Sequence, residues 1–527
     1  MAPSVLLQPW RFLRCLAMGG ERHATGTWSA VAGPIAGLAA GLALPPLGWP
    51  PLLWLALVPL WALAGSPIPA RAARGGFLWG AAAVLVSHRW LLGLHPLDWI
   101  GVPAPLSLPL CALLLAACAA LGGLLVGLWT VLATRLDPRR ASSALLLCCG
   151  WGLVEVALAR GPLFWIGLGA AVLPGDRALA GLAQLVGAGG LAALQLAIGW
   201  LGWRAWTARR PLPWLVAAVL VVLLGHGAGA ALLANLPADP PRRERVLVLQ
   251  PAIPTREKFS WTQRQRLQRQ LALALQEGSA AGADLVLLPE GALGLEPELP
   301  QPAPLELISG GFRWQELGGP AGSGAERLEQ RSALLRFGSG ASRAGSWLDK
   351  HRLVPLGEWV PFAQLARWSG LSAVGGVEPG PPSRLLSRPA GAVAGAICYE
   401  LADGQALAVA VRQGAGWLLA SANLDPYPLQ LQRQYEALAQ LRAIETSRWL
   451  VSSANTGPSL LVDPRGVVRE RLPAGLPARA LLEVAPRSDR SLYARWGDGP
   501  LLLLTLAALS WRGWQGRAVG LPAGQRR

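Results

Sequence analysis

The feature that most constrains this chain is a series of apolar runs, each long enough to cross a lipid bilayer. A hydrocarbon core of about 30 Å requires about 20 helical residues. Such runs lie near residues 29–47, 49–65, 76–93, 106–134, 141–173, 179–203 and 212–235, and a shorter one lies near 499–511. The run at 141–173 exceeds one span, so we expect tilt or a re-entrant end there.

Composition supports a membrane protein and excludes two other classes. Of the 527 residues, 52% are apolar and 15% are charged, and the mean hydropathy is +0.37. An ordinary water-soluble enzyme is less apolar, and a disordered chain has the reverse composition. The net charge of +17 does not indicate nucleic-acid binding, because the arginines of the apolar part lie in short loops without stacking aromatic residues.

The positions of the arginines predict the orientation of the spans. Lys and Arg in short loops stay in the cytoplasm. With a cytoplasmic N-terminus, the loops on the opposite side are 44–50, 94–105 and 174–178. Arg177 is the only Lys or Arg in these three loops. The cytoplasmic segments contain Arg11, Arg14, Arg22, Arg71, Arg74, Arg135, Arg139, Arg140, Arg204, Arg209, Arg210, Arg512, Arg517, Arg526 and Arg527. The polar region between the seventh and eighth spans is then extracytoplasmic, and we expect an uncleaved first span rather than a signal peptide.

These patterns predict a division into five segments. We expect a cytoplasmic N-terminal segment at 1–28, a seven-helix membrane domain at 29–235, a polar domain at 236–497, a C-terminal membrane helix at 498–511 and a basic tail at 512–527. The predicted fold class is therefore a multi-pass bundle of about eight helices with an extracytoplasmic α/β domain.

Within the polar domain, short apolar runs alternate with helical stretches. Buried strands are predicted at 245–250, 283–290, 331–337, 391–400, 416–423 and 449–457, and helices at 261–277, 403–413 and 430–447. The Gly-rich stretches 308–326 and 374–388 are predicted to be mobile loops.

Three reactive residues stand at the ends of predicted strands, where an α/β sheet presents side chains to a crevice. They are Glu290, Lys350 and Cys398. Only Lys258 and Lys350 are lysines among 47 basic residues, which suggests that a compact ammonium is required at 350. Together the three permit acyl transfer: a thiol nucleophile, a carboxylate base and a cation that, with the backbone N–H of Tyr399, stabilises an oxyanion. A solvated lysine and an inert buried thiol are the alternatives.

Longer motifs around these residues resemble a known family. LLPEGAL around Glu290, LDKHRLVPLGEWVPF around Lys350 and GAICYE around Cys398 resemble the three catalytic blocks of the carbon-nitrogen hydrolase, or nitrilase, superfamily. GLAAGLALPPLGWPPLLWLALVPL at 37–60, VEVALARG at 154–161 and LAQLVGAGGLAAL at 182–194 are similar to its apolipoprotein N-acyltransferase branch.

The resemblance implies a four-layer αββα domain on an eight-helix bundle in a bacterial inner membrane, with no cofactor or metal and a monomeric chain. It implies that Cys398 takes an acyl chain from a membrane phospholipid and passes it to the N-terminal amine of a diacylated apolipoprotein. The resemblance implies that Glu358 positions Lys350 or assists proton transfer, and that Tyr399 and Glu400 flank the nucleophile. Candidates for the substrate entrance are Phe259, Trp261 and Asn423. The chain departs from the family at Phe259, at Arg331 and at 424–427.

Two other functions share parts of this evidence. A membrane-tethered amidase would use the same three residues but resolve the thioester with water. A scaffold or transporter with an inactive domain would not depend on Cys398 at all.

Overall fold

The computed structural model describes residues 24–98, 101–257, 260–317, 327–355, 358 and 376–520. The described residues form two parts, an apolar helical bundle and a sandwich of two β-sheets. Most of the bundle comes from the N-terminal half of the chain, and the last helix returns to it.

The bundle begins with eight helices. They are α1 Ala24–Ala43, α2 Pro50–Ala64, α3 Pro69–Ser87, α4 Ala104–Leu136, α5 Ala141–Ala159, the short α6 Arg177–Ala180, α7 Ala183–Thr207 and α8 Leu212–Ala234. By length and composition alone, α4, α5, α7 and α8 are able to cross a membrane. Helix α8 exposes leucine and valine along its outer side, including Leu212, Val219 and Leu223. A surface this apolar is stable only against lipid or another apolar surface.

The long apolar run at 141–173 is not a single tilted helix. Helix α5 ends at Ala159, and a 3₁₀ turn at Leu168–Val172 follows in an irregular connection. Gly161 is followed by Pro162, which disfavours the helical conformation in the residue before it. The run therefore consists of one helix and an irregular connection, which packs against the sandwich at Phe164.

The sandwich contains twelve strands and four helices in the described part of 236–497. The strands are β1 Glu244–Gln250, β2 Leu285–Leu287, β3 Glu306–Leu317, β4 Arg327–Phe337, β5 Ser346–Asp349, β6 Leu385–Leu386, β7 Val393–Ile397, β8 Trp417–Ala422, β9 Leu450–Ala454, β10 Leu460–Val462, β11 Val468–Arg471 and β12 Ala478–Val484. The helices are α9 Trp261–Ala280, α10 Gly404–Arg412, α11 Leu429–Thr446 and α12 Leu492–Trp496, and α13 Gly499–Gly520 then rejoins the bundle.

The strands form two six-stranded sheets whose faces pack together. The orders are β12-β1-β2-β3-β4-β5 and β11-β10-β9-β8-β7-β6. Side chains such as Val248, Leu287 and Leu419 fill the core between the sheets. Helix α9 covers the outer face of the first sheet, and α10 and α11 cover the second. This is the expected αββα arrangement, and the prediction of a helical bundle with an α/β domain is confirmed.

One prediction about the domain was wrong. Residues 308–317 were expected in a mobile loop, but they form most of β3, which pairs with β4 along eleven register positions. All six predicted strand segments contain a strand or part of one, and the described residues include six further strands that the sequence did not predict. Residues 318–326 lie outside the described part. The segment 376–388 has only the short β6, and its hydrogen bond from Gly380 N to Lys350 O, 2.8 Å, ties it to the sheet.

Helix α11 joins the two parts of the molecule. One side packs on the second sheet through Leu438 and Ala443, and the other packs in the core of the bundle through Leu441. The side-chain amide of Gln434 donates to Pro45 O at 3.2 Å and Ser87 O at 2.8 Å. Because α11 is buried on both sides, the sandwich and the bundle share one continuous interior.

Candidate active site

Polar side chains gather at the carboxyl ends of five strands. Glu290 follows β2, Lys350 follows β5, Cys398 follows β7, Asn423 follows β8 and Asn455 follows β9. Strands β2 and β3 are parallel, as are β7, β8 and β9. Parallel strands bring their carboxyl ends to one edge of a sheet, and the two sheets present these edges to the same crevice.

Lys350 lies between two glutamates. Its Nζ donates to Glu290 Oε1 at 2.6 Å and to Glu358 Oε1 at 2.8 Å, and its side chain is 1% exposed. Burial lowers the pKa of Lys350, but the two carboxylates raise the pKa and prevail, so it lies well above the ordinary value. Lys350 is therefore a permanent cation, suited to holding Glu290 and to stabilising negative charge.

Cys398 is the first residue after β7 and has a left-handed backbone, with φ +56°. Its side chain is buried, and burial raises the pKa of the thiol above the ordinary range. The charge of Glu290 raises this pKa further, whereas Lys350 and the backbone N–H of Tyr399 lower it. Cys398, Glu290, Lys350 and the backbone N–H of Tyr399 thus lie within electrostatic reach of one another. At rest, Cys398 is a neutral thiol.

Glu400 links the segment after Lys350 to the segment that carries Cys398. Its Oε1 accepts from His351 N at 2.7 Å and Arg352 N at 3.0 Å. Its Oε2 accepts from Arg384 Nη1 at 2.6 Å and Ile397 N at 2.9 Å. Since Glu400 is 3% exposed and makes four such bonds, it fixes the two segments relative to each other.

Tyr399 makes a second link between these segments. Its hydroxyl donates to Leu353 O at 2.6 Å. Burial raises the pKa of Tyr399 to about 12, so the phenol remains a donor at physiological pH.

Asn423 and Asn455 hold the other side of Glu290. The backbone N–H of Asn423 donates to Glu290 Oε2 at 3.0 Å. The Asn423 side chain donates to Thr255 Oγ1 at 3.0 Å and accepts from Asn455 Nδ2 at 2.9 Å. Sequence reasoning missed Asn455, although an asparagine directly after a buried strand on the same edge was a usable signal.

Arg331, one of the departures from the family pattern, lies behind Lys350. Its Nη1 donates to Asp349 Oδ2 at 3.2 Å, and Arg313 donates to both oxygens of the same carboxylate at 2.8 Å. Asp349 directly precedes Lys350, so the two arginines fix the backbone from which the lysine extends.

The sequence also predicts Phe259 and Trp261 at the substrate entrance. Phe259 lies outside the described residues. Trp261 begins α9, and its side chain is 70% exposed. Near the site, the Trp90 ring of the bundle lies 5.8 Å from the Tyr427 ring and 6.0 Å from the Phe164 ring, measured between ring centroids. Phe164 also packs on the core that contains Cys398.

Charged and titratable residues outside the cluster around Lys350 have structural contacts. Glu155 accepts from Trp151 Nε1 at 2.7 Å and Leu168 N at 2.8 Å. Arg160 does not pair with it but lies 3.6 Å from Asp403 and also contacts Asp498. His351 Nδ1 forms a hydrogen bond with Gly380 O at 2.7 Å.

Comparison with known proteins identifies the family. Residues 36–201 match the model of the apolipoprotein N-acyltransferase N-terminal domain. An apolipoprotein N-acyltransferase of Prochlorococcus marinus is 48% identical over 93% of this chain and 96% of its own length. One from Parasynechococcus marenigrum is 45% identical over 91% of this chain and 98% of its own. The chain belongs to the apolipoprotein N-acyltransferase family. As a member of this family, with the apolar helices described above, it is an acyltransferase and a membrane protein.

Solved structures of more distant proteins also match. One is Nit3 of Saccharomyces cerevisiae, a member of the nitrilase superfamily, which is 16% identical and has a TM-score of 0.32. The match covers 54% of this chain and 97% of the Nit3 chain. An amidase of Nesterenkonia from the same superfamily is 16% identical, covers 51% and 98%, and has a TM-score of 0.33. The αββα assignment of this N-acyltransferase family member rests on its own two sheets.

Proposed function

We propose that this protein moves a fatty acyl chain from a membrane phospholipid to the N-terminal amine of a diacylated apolipoprotein, with Cys398 as the nucleophile. The single observation that carries the proposal is the buried cluster in which Lys350 joins Glu290 and Glu358 within electrostatic reach of the thiol. Supporting it, the chain is 48% identical to an apolipoprotein N-acyltransferase.

In the first step, Glu290 accepts the thiol proton as the sulfur attacks the ester carbonyl of the phospholipid. The C–S bond forms, and the carbonyl oxygen gains negative charge that Lys350 and the N–H of Tyr399 stabilise. The ester C–O bond then breaks, and the proton on Glu290 passes to the leaving alkoxide, giving a lysophospholipid. Because the resting thiol has a raised pKa, proton transfer to Glu290 accompanies attack rather than preceding it.

In the second step, the amine of the apolipoprotein attacks the thioester. The C–N bond forms, the C–S bond breaks, and the amine proton returns to sulfur by way of Glu290. Glu290 loses its charge when it takes up a proton. Glu358 continues to accept the hydrogen bond from the Lys350 ammonium and so keeps the lysine in position. The order of steps is ping-pong, since one thiol serves both substrates.

The proposal includes a place for the enzyme. We infer an inner-membrane protein with the domain at 236–497 on the extracytoplasmic side, since arginines are concentrated in alternate loops. Both substrates keep their acyl chains in the outer leaflet, so a site tethered at that surface gains proximity. We infer that the chain acts as a monomer, because its own residues supply every group used above.

The test uses the full-length protein in detergent micelles with phospholipid and a diacylated lipopeptide. We expect triacylated lipopeptide, and an acyl adduct on Cys398 by mass spectrometry when the lipopeptide is omitted. Cys398→Ala should lose at least about 10³-fold in rate. Cys149→Ala, which removes a buried thiol of the bundle, serves as the matched control. It should still form both the triacylated lipopeptide and the acyl adduct on Cys398.

The outcomes separate the alternatives. Free fatty acid without triacylated lipopeptide would reject the transferase in favour of the amidase. Full activity in Cys398→Ala would reject the thioester and with it every role assigned to the cluster.

A further inference from the structure

Arg352 is a half-buried cation beside the candidate site, two residues after Lys350. Its guanidinium lies over the Tyr399 ring, 4.6 Å from the centroid. Its Nη2 donates to Gly161 O at 2.6 Å. The stacking on Tyr399 and the bond to Gly161 together fix the plane of the guanidinium next to the residue that follows the nucleophile.

The hydrogen-bonding capacity of Arg352 is only partly used. Its Nε and Nη1 are buried and have no hydrogen-bond partner among the described residues. In the part of the chain that the structure describes, no carboxylate lies within ion-pair distance of the Arg352 guanidinium. Arg384 and Arg331 also have a buried Nε without a partner. They differ from Arg352 in having a carboxylate, because Arg384 pairs with Glu400 at 2.6 Å and Arg331 with Asp349 at 3.2 Å. A buried donor of a cation without an acceptor is costly, so this position favours an anionic ligand.

The depth of Arg352 relative to the bundle indicates the ligand. Gly161 comes two residues after the end of α5, one of the helices able to span a membrane. The end of a span marks the edge of the hydrocarbon core, where the phosphates of phospholipids lie. With α5 as a span, the bond to Gly161 places the Arg352 guanidinium near the end of that span, and the acyl esters of a phospholipid lie on the hydrocarbon side of its phosphate.

We propose that Arg352 binds the phosphate of the phospholipid acyl donor and thereby places the ester carbonyl at Cys398. This inference rests on the proposed function and adds to it the residue that recognises the donor. The acceptor amine carries no phosphate, so the contact acts in the first step and not in the second.

The experiment compares two acyl donors with the full-length enzyme in detergent micelles. One is a phospholipid, and the other is a p-nitrophenyl ester of the same fatty acid, which has no phosphate. Arg352→Gln should raise the KM for the phospholipid at least about tenfold, the loss expected for one charge-assisted hydrogen bond. With the nitrophenyl ester, its kcat/KM should stay within about twofold of the unaltered enzyme. Arg352→Lys keeps the charge, so its KM for the phospholipid should lie between those of the unaltered enzyme and Arg352→Gln.

A matched control is Arg256→Gln. Arg256 also connects the sandwich to a loop of the bundle, donating to Pro96 O at 3.0 Å, but it has a carboxylate partner in Asp98 at 3.4 Å. We expect this variant to behave as the unaltered enzyme with both donors. A loss in Arg352→Gln that is equal for the two donors would show a purely structural role and overturn the proposal, as would an unchanged KM for phospholipid.

Two further results separate this inference from the function beneath it. Inhibition of the nitrophenyl ester reaction by inorganic phosphate, lost in Arg352→Gln, would assign the position to free phosphate and overturn the lipid assignment. If the unaltered enzyme forms triacylated lipopeptide from the nitrophenyl ester but not from phospholipid, the donor class is wrong. If it forms none from either donor, the proposed function itself fails.

Discussion

At the scale of single residues, the candidate site depends on a balance of charges around a protonated thiol. Burial and Glu290 raise the pKa of Cys398, whereas Lys350 lowers it. Glu290 therefore has two opposite effects on the nucleophile: its charge disfavours the thiolate, yet its basicity is needed to remove the proton. Once Glu290 takes the proton, its charge is lost, and Lys350 with the backbone N–H of Tyr399 favours the thiolate against the opposing effects of burial and Glu358.

This balance predicts that Glu290→Gln makes Cys398 more acidic while abolishing transfer. The substitution removes a charge that raises the thiol pKa and leaves Lys350 in place. We expect the pH midpoint of iodoacetamide alkylation, followed at the Cys398 peptide by mass spectrometry, to fall by about one unit or more. Glu298→Gln, an exposed glutamate paired with Arg343, should not move the midpoint. A midpoint that rises or stays constant in Glu290→Gln would contradict the charge balance.

At the scale of elements, strand β3 explains how Glu290 is placed. A Cβ added at Gly310 would lie 2.4 Å from the Cα of Glu290 and 2.4 Å from the nitrogen of Gly291. The backbones of β3 and of the segment after β2 therefore touch without an intervening side chain. Gly310, one of the glycines that suggested a loop in the sequence, is required because the strand passes this close to the site.

Gly310→Ala should consequently impair catalysis beyond its effect on stability. The new methyl group meets backbone atoms, so Glu290 must shift, and a displacement of about 1 Å at a reacting group costs about 10²-fold in rate. We expect kcat for lipopeptide acylation to fall at least about tenfold while the circular dichroism spectrum is retained. Gly338→Ala, at a glycine with open space around it, is the matched control. Unaltered kcat in Gly310→Ala would show that the close approach does not position Glu290.

The elements also show what the sequence was able to predict. Continuous apolar runs identified the central strands β1, β2, β7, β8 and β9, which are buried on both faces. Strands such as β11 were missed because an edge strand with exposed residues has no continuous apolar pattern. Motifs named Glu290, Lys350 and Cys398, but the partners Asn455 and Gly161 depend on contacts between segments distant in sequence, which local patterns do not encode.

At the scale of the whole molecule, the junction between bundle and sandwich contains a buried carboxyl group. Glu445 of α11 is 0% exposed, accepts from Ala188 N of α7 at 2.8 Å and lies 3.0 Å from Arg442. Burial raises the pKa of Glu445 to about 7, against a lowering by Arg442 and a further raising by Asp498 and Asp403. At neutral pH and above, part of the energy of docking is therefore lost to the buried charge.

The sign of the resulting pH dependence follows from linkage. The folded-state pKa of Glu445 is higher than its value of 4.5 in the unfolded chain, so the folded state binds the proton more tightly. The stabilisation is complete below pH 4.5 and is lost as the pH rises through about 7. The loss amounts to about 3 kcal/mol at most, at 1.36 kcal/mol per unit of pKa.

Glu445→Gln should remove this pH dependence, because glutamine is neutral at every pH and keeps an oxygen for Ala188 N. Thermal unfolding of the two proteins in detergent at pH 5.5 and pH 8.5 measures it. We expect the midpoint of the variant, relative to that of the unaltered protein, to be higher at pH 8.5 than at pH 5.5 by several degrees. Glu470→Gln, at an exposed glutamate of β11, should show the same difference from the unaltered protein at both values. A relative midpoint of Glu445→Gln that falls between pH 5.5 and pH 8.5 would mean that ionised Glu445 stabilises the junction through Arg442, and that the cost of burying its charge is the smaller term.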